Sequence, residues 1–111
     1  MADALRARFA EALVSDEIPG LRFVGRLAPE PVGPHPLPQF EIHFIGAARA
    51  HVRAIVEQTG LVCLIHPLTD DDLADHTSLA IWIGEPLTLD VSVLDPPGVN
   101  QGLSRFGQSD F

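Results

Sequence analysis

The stretch QFEIHFIGAARAHVRAIVEQTGLVCLI, residues 39–65, contains the pattern of a strand, a helix and a second strand. Its first six residues alternate polar and apolar side chains, the period of two that marks a strand with one apolar face. Residues 47–59 are rich in alanine with apolar side chains at helical spacing, and Gly60 stands where helices commonly end. The apolar run 61–65 has the length of a buried strand.

The flanking sequence extends this pattern on both sides. Residues 3–14 repeat apolar side chains at helical spacing, and residues 21–27 alternate as a strand. Five prolines at 28–38 predict a stiff loop, while the segments 79–83 and 87–93 read as later strands. The order helix, strand, strand, helix, strand predicts an α+β fold, a ferredoxin-like antiparallel sheet covered by two helices, with its first strand missing or replaced.

The length of 111 residues predicts one domain, which we place at residues 1–94. After Asp95-Pro96-Pro97-Gly98 the composition shifts to glycine, serine, asparagine and glutamine, so residues 95–111 are predicted to be a flexible C-terminal tail.

Charge and composition exclude several kinds of partner. The net charge of −8 and the seven scattered arginines argue against nucleic acid, which needs a clustered basic surface. A secretory signal is not seen, and every apolar run is far shorter than the roughly 20 residues that cross a bilayer. Cys63 is the single cysteine, so an internal disulfide is impossible. These features predict a cytoplasmic protein without a membrane or nucleic-acid partner.

Three histidines stand in segments of unusual chemistry. His35 lies between two prolines, His66 ends the apolar run and precedes a proline, and His76 ends an acidic turn in which Thr69 is expected to cap the amide of Asp72. Histidine is the commonest protein ligand for transition metals, so these side chains would form a metal site if they converge. The alternative is that each histidine has only a structural role. His35 would then hydrogen-bond a neighbouring carbonyl in its turn, His66 would be hydrogen-bonded at the end of its strand, and His76 would cap the short helix. His43 and His51 are expected to be ordinary surface residues.

Sequence spacing alone does not decide between these readings. The chain has no HxxxH, HExxH or CxxC pattern, and no phosphate-binding or dinucleotide-binding glycine motif. Its only thiol lies in an apolar run, which does not favour nucleophilic catalysis.

Several motifs together resemble one known family. They are Pro31-Val32-Gly33-Pro34-His35-Pro36, His66-Pro67-Leu68-Thr69, Asp71-Asp72-Leu73-Ala74-Asp75-His76-Thr77, Ala80-Ile81-Trp82-Ile83-Gly84-Glu85-Pro86-Leu87 and Leu89-Asp90-Val91-Ser92-Val93-Leu94. In order and spacing they resemble the DOPA 4,5-dioxygenase family. The resemblance implies a small ferredoxin-like domain that forms a homodimer and cleaves the ring of a catechol such as DOPA outside its two hydroxyls. It also implies molecular oxygen as co-substrate and Fe(II), or another divalent metal, as cofactor.

The resemblance assigns roles residue by residue. His35 and His66 are the expected metal ligands, and His76 is the expected catalytic acid or base. Asp75 would be a carboxylate outside the set of metal ligands that orients the ring of His76. Two aromatic residues are expected to form apolar walls for the substrate: Trp82 and Phe40.

The chain departs from the family pattern in two places. Family members usually begin with a histidine-containing strand, whereas this chain starts directly at the helix, and Asp70 stands where the family commonly has glycine. The alternative function is therefore a non-catalytic dimeric binding or interaction module that keeps the fold.

Overall fold

The structure, a computed structural model, describes residues 2–31 and 33–110, with the side chain of Ser104 excepted. It confirms a small α+β protein of helices and antiparallel strands. In chain order the elements are α1 (Ala2–Ser15), β1 (Leu21–Val24), β2 (Ile42–Phe44), α2 (Arg49–Glu57), β3 (Cys63–Ile65), α3 (Asp72–His76), β4 (Ile81–Ile83) and α4 (Gln101–Phe106).

The helix α1 packs on the hairpin formed by β1 and β2. Phe9 and Ala12 of α1 are 1% and 0% exposed, because they face the sheet at helical spacing. The strands β1 and β2 pair antiparallel, with Leu21 opposite Phe44 and Val24 opposite Ile42. The predicted first helix and the two strands that follow it are therefore confirmed, and the structure adds that these strands pair with each other.

The strands β3 and β4 form a second, separate antiparallel pair. The run 61–65 that the sequence predicts to be buried is only partly so: Ile65 is 5% exposed, but Val62 is 42% exposed. In the described part of the chain β2 and β3 are not hydrogen-bonded to each other, and the ferredoxin-like arrangement of one continuous sheet stays a prediction.

A groove of about 1050 Å³ lies between the two hairpins. Residues 42–45 of one hairpin and 60–66 of the other line it, and apolar side chains of α1 and α2, including Phe9 and Val52, form its floor. The outer edges of β2 and β3 therefore both border this groove.

The strand predicted at 87–93 is wrong. Residues 86–90 have no regular secondary structure, and Val91–Val93 form one turn of 3-10 helix. The Asp90 side chain accepts a hydrogen bond of 3.2 Å from the Ser92 amide, which stabilises the turn, and Val93 is 54% exposed. The alternation of apolar residues here marks no buried face.

The segment for which the sequence predicts a flexible tail holds α4 and contacts the rest of the chain. Asn100 is 8% exposed and caps α4 by accepting a hydrogen bond of 3.0 Å from the Gly102 amide. The Ser109 amide donates to the Leu68 carbonyl at 3.0 Å. Among the described residues, no helix is both long and apolar enough to traverse a bilayer.

Candidate functional site

The rings of the three singled-out histidines come together at one cavity. The ring centroids of His66 and His76 are 4.3 Å apart, and those of His35 and His76 are 5.9 Å apart. All three line a cavity of about 310 Å³ that is separate from the floor of the groove. The three histidine side chains, which are distant in sequence, are therefore neighbours in the fold.

Backbone carbonyls fix the tautomer of two of these rings. His66 Nδ1 donates to the Pro67 carbonyl at 2.7 Å, and His76 Nδ1 donates to the Asp72 carbonyl at 2.8 Å. Because a carbonyl only accepts, each Nδ1 carries the proton and each neutral ring keeps its lone pair on Nε2. Neither Nε2 atom has a hydrogen-bond partner among the described residues, so both are available to a ligand.

The loop that carries His35 is held in place by its neighbours. Prolines on both sides fix the backbone angles, and the Asp90 amide donates to the Pro34 carbonyl at 2.8 Å. Gly33 has a φ of +58°, a conformation that glycine adopts at least cost. This stiff loop presents the imidazole of His35 to the cavity.

Burial favours the neutral form of two of the imidazoles. Burial is the largest cause that lowers the pKa of His35 and of His66 below the ordinary value of 6.5, and the positive charge that His76 can carry lowers both further. The hydrogen bond to the Pro67 carbonyl acts on the pKa of His66 in the opposite direction. Neutral imidazole is the form that binds a metal ion or accepts a proton.

These lowered pKa values predict a pH dependence of stability in the metal-free protein. Below pH 6.5 the unfolded chain binds more protons at His35 and His66 than the folded chain does, so the free energy of unfolding falls as the pH drops. We expect the urea midpoint to be lower at about pH 5.5 than at about pH 7.5, because over that range the unfolded chain takes up more protons at these two groups than the folded chain does. His66→Gln should reduce this dependence, whereas His51→Gln, at an exposed position of α2, should leave it unchanged.

Asp72 is the carboxylate that contacts His76. Its Oδ1 lies 3.3 Å from His76 Nδ1, and its Oδ2 accepts a hydrogen bond of 2.9 Å from the Asp95 amide. Asp72 and His76 are four residues apart on α3, so one helical turn brings them together. Sequence reasoning missed Asp72, although this spacing could have revealed it.

Asp75 contacts other partners than His76. It is 0% exposed, and it accepts hydrogen bonds from the Thr69 amide at 2.9 Å, the Thr69 hydroxyl at 2.6 Å and the Asn100 amide group at 3.2 Å. The expected cap from Thr69 to Asp72 is wrong: the Asp71 side chain caps α3 by accepting from the Ala74 amide at 3.0 Å. Thr69 is instead committed to Asp75.

The two predicted aromatic walls lie in the groove rather than in the histidine cavity. Trp82 stands in β4 opposite Leu64, and both Trp82 and Phe40 line the groove. Phe40 also packs against the apolar core. The groove and the cavity share His35 and His66 among their lining residues, so the two spaces adjoin at these side chains.

The donor chemistry fits a divalent transition metal, but the positions do not yet form a complete site. Imidazole nitrogens with open positions beside carboxylates are the donors that Fe(II) takes in oxygen-activating proteins. Among the described residues, however, no three histidine, cysteine, aspartate or glutamate side chains stand close enough to hold an ion together.

Comparison with known sequences gives one family and two relatives. The sequence model of the Dopa 4,5-dioxygenase family matches residues 1–93. An uncharacterized 21.2-kDa protein of Botryotinia fuckeliana is 37% identical over 102 residues, which cover 80% of this chain and 55% of that protein. A protein of Amanita muscaria named DOPA 4,5-dioxygenase is 34% identical over 71 residues, which cover 62% of this chain and 31% of that protein. The chain thus spans about half and about a third of these relatives.

A comparison with solved structures also finds a similar protein. A crystal structure from Nostoc punctiforme, provisionally assigned as a dioxygenase, superposes with a TM-score of 0.67 at 28% sequence identity. The superposition covers 83% of this chain and 79% of the other.

Proposed function

The chain belongs to the Dopa 4,5-dioxygenase family, and on that premise we propose that it is a metal-dependent extradiol dioxygenase. Its substrate would be a catechol such as DOPA, opened with molecular oxygen. The observation that carries this proposal is the gathering of three imidazoles at one cavity, two of them with Nδ1 tied to a carbonyl and Nε2 available.

In this proposal His35 and His66 hold Fe(II) or another divalent metal. Bound Fe(II) would supply open positions at which catecholate and oxygen meet. The chain itself fixes the imidazoles: the Pro67 carbonyl sets the tautomer of His66, and the two prolines set the backbone of His35. A fixed tautomer and a stiff loop reduce the conformational freedom that these two ligands would lose on binding an ion.

His76 is proposed to move a proton. Its Nε2 can accept the proton of a catechol hydroxyl, while Asp72, 3.3 Å from Nδ1, stabilises the imidazolium that results. Asp75 acts on His76 only through the backbone of α3, which it ties to Thr69. Trp82 and Phe40 would contact the part of the substrate that extends into the groove.

The proposal is tested by anaerobic reconstitution with Fe(II). We expect about one iron per chain and a higher melting temperature, because a ligand that binds only the folded state stabilises it by mass action. Addition of oxygen and DOPA should then give oxygen uptake and a yellow ring-opened product. A folded protein that takes up no metal under these conditions would contradict the proposal.

A second candidate is a non-catalytic binding module of the same fold. The observation that favours it is that the described residues contain no group of three side chains placed to hold a metal ion. For such a module, chelator should leave the melting temperature unchanged. A fall in melting temperature on chelation would instead support the dioxygenase.

We also propose that the two hairpins are parts of one ferredoxin-like sheet. The support is the groove between β2 and β3, where two strand edges face a space floored by apolar helix side chains. Amide hydrogen exchange tests this proposal, since edge amides of Ile42–Phe44 and Cys63–Ile65 left unpaired in solution would exchange fast.

The homodimer implied by the family stays a prediction, which a solution mass twice the 12.0 kDa of the chain would support.

A further inference from the structure

Glu41 stands where the histidine cavity adjoins the groove. It lines both spaces, together with His35 and His66. Its backbone is fixed in this place, since the Gly25 amide donates to the Glu41 carbonyl at 2.8 Å. A catechol whose ring lies at the histidines and whose substituent extends into the groove would therefore bring that substituent close to this carboxylate.

The carboxylate of Glu41 is charged and accessible. The hydrogen bond with His43, whose Nε2 lies 3.4 Å from Glu41 Oε2, holds the pKa of Glu41 below its usual range against the opposing effect of burial, and the charge of Arg105 acts in the same direction as the hydrogen bond. The side chain is 63% exposed, so it keeps oxygen positions for another donor.

The other two carboxylates of the cavity are already used within the protein. Asp72 accepts from the Asp95 amide and lies beside His76, and Asp95 accepts from the Gln101 amide at 2.8 Å. No lysine or arginine is found among the described residues that line this cavity. Arg105 lies outside it, with its Cζ 5.0 Å from the centre of the Phe106 ring.

We propose that Glu41 selects catechols whose side chain carries an ammonium group over catechols whose side chain carries a carboxylate. This inference rests on the proposed dioxygenase function and names the substrate class of that site. The ammonium donates to the Glu41 carboxylate at the mouth of the groove, whereas an anionic side chain meets like charge there. Arg22 of β1 is the one arginine among the described residues that line the groove.

The expected selectivity follows from the exposure of Glu41. An exposed ion pair changes affinity by about threefold, and repulsion of the anion adds a similar factor, so dopamine should bind about tenfold tighter than 3,4-dihydroxyphenylacetate. In Glu41→Gln we expect the two to bind within about twofold of each other. Glu11→Gln, the same change at an exposed position of α1, should keep the tenfold ratio.

The test measures dissociation constants of the iron-loaded protein by calorimetry under argon, and KM by oxygen uptake. Each value is divided by that of 4-methylcatechol in the same variant, so that a general loss of activity cancels. Equal ratios for the amine and the acid in the unmodified protein, or an unchanged ratio in Glu41→Gln, would overturn the selection by Glu41.

The two proposals fail in different ways. Tighter binding of dopamine without oxygen uptake from any catechol would overturn the dioxygenase and support the selection. Ring opening without a preference between the amine and the acid would overturn the selection by Glu41 and support the dioxygenase. No binding of any catechol would overturn both.

Discussion

Replacing His66 with alanine is expected to abolish both iron binding and ring cleavage. His66 is the imidazole whose tautomer is fixed by the Pro67 carbonyl and whose pKa is lowered by burial, so it is the ring best prepared to bind a metal in its neutral form. Mutation of a residue that hydrogen-bonds to a metal ligand typically lowers metal affinity or activity by about 10–100-fold. Loss of a ligand itself should therefore lower kcat/KM by more than about a hundredfold. Iron content after anaerobic reconstitution and oxygen uptake with DOPA measure the two effects.

His51→Ala is the matched control for this substitution. His51 is exposed on α2 and lines neither the cavity nor the groove, so its removal should change iron content and turnover by less than about twofold. Urea unfolding of both variants separates loss of the ligand from loss of the fold. A His66→Ala protein that is folded and still holds one iron per chain would remove His66 from the site.

The helices α1 and α2 and the strands β1 and β2 followed from local sequence patterns, whereas α4 did not. The spacing of apolar residues in α1, and the alternation before Gly46 in β2, depend only on neighbours a few residues away, so periodicity identified them. At 87–93 the same alternation gave a wrong prediction. The Asp90 side chain accepts a hydrogen bond from the Ser92 amide and stabilises a turn, so the backbone does not pair with another strand. Short apolar runs do not by themselves say whether another element will cover them.

The burial of β3 depended on long-range structure that local sequence does not contain. Five apolar residues in a row are typical of a strand covered on both faces, yet one edge of β3 borders the groove and Val62 is 42% exposed. A run of this kind beside an open edge is expected where a sheet lacks a neighbouring strand. This physical mismatch is the main support for the ferredoxin-like proposal.

The residues of the candidate site also differ in whether local sequence or contacts between distant residues place them there. The prolines beside His35 and His66 were visible in the sequence, and Asp72 was within one helical turn of His76. Glu41 could not be found in this way, because only the fold brings it from the start of β2 to the histidine cavity. Residue type and local spacing therefore identified the histidines but not the acidic groups around them.

Asp75 is the residue for which we expect the largest loss of stability. Its carboxylate is 0% exposed and joins Thr69, ahead of α3, to Asn100, ahead of α4. Asp75→Ala would leave the Thr69 amide and hydroxyl without this acceptor and would remove one of the two bonds that the Asn100 amide group donates, the other being to the Thr69 carbonyl at 2.8 Å. Each lost bond to a charged group contributes about 1.5–3 kcal/mol. We therefore expect the free energy of unfolding to fall by about 3–5 kcal/mol, out of about 5–15 kcal/mol for a typical domain.

Urea unfolding with two further variants shows whether this loss comes from the buried bonds. Asp70→Ala removes an exposed carboxylate nearby and should change stability by no more than about 0.5 kcal/mol. Asn100→Ala and the double variant complete a cycle, in which the hydrogen bond of 3.2 Å between the two side chains predicts a coupling of about 1–2 kcal/mol. Additive effects of the two single changes would mean that Asn100 and the C-terminal segment do not depend on Asp75. Measurable coupling would mean that residues 95–106 are held to the domain by the same carboxylate that fixes α3, and with it His76, at the cavity.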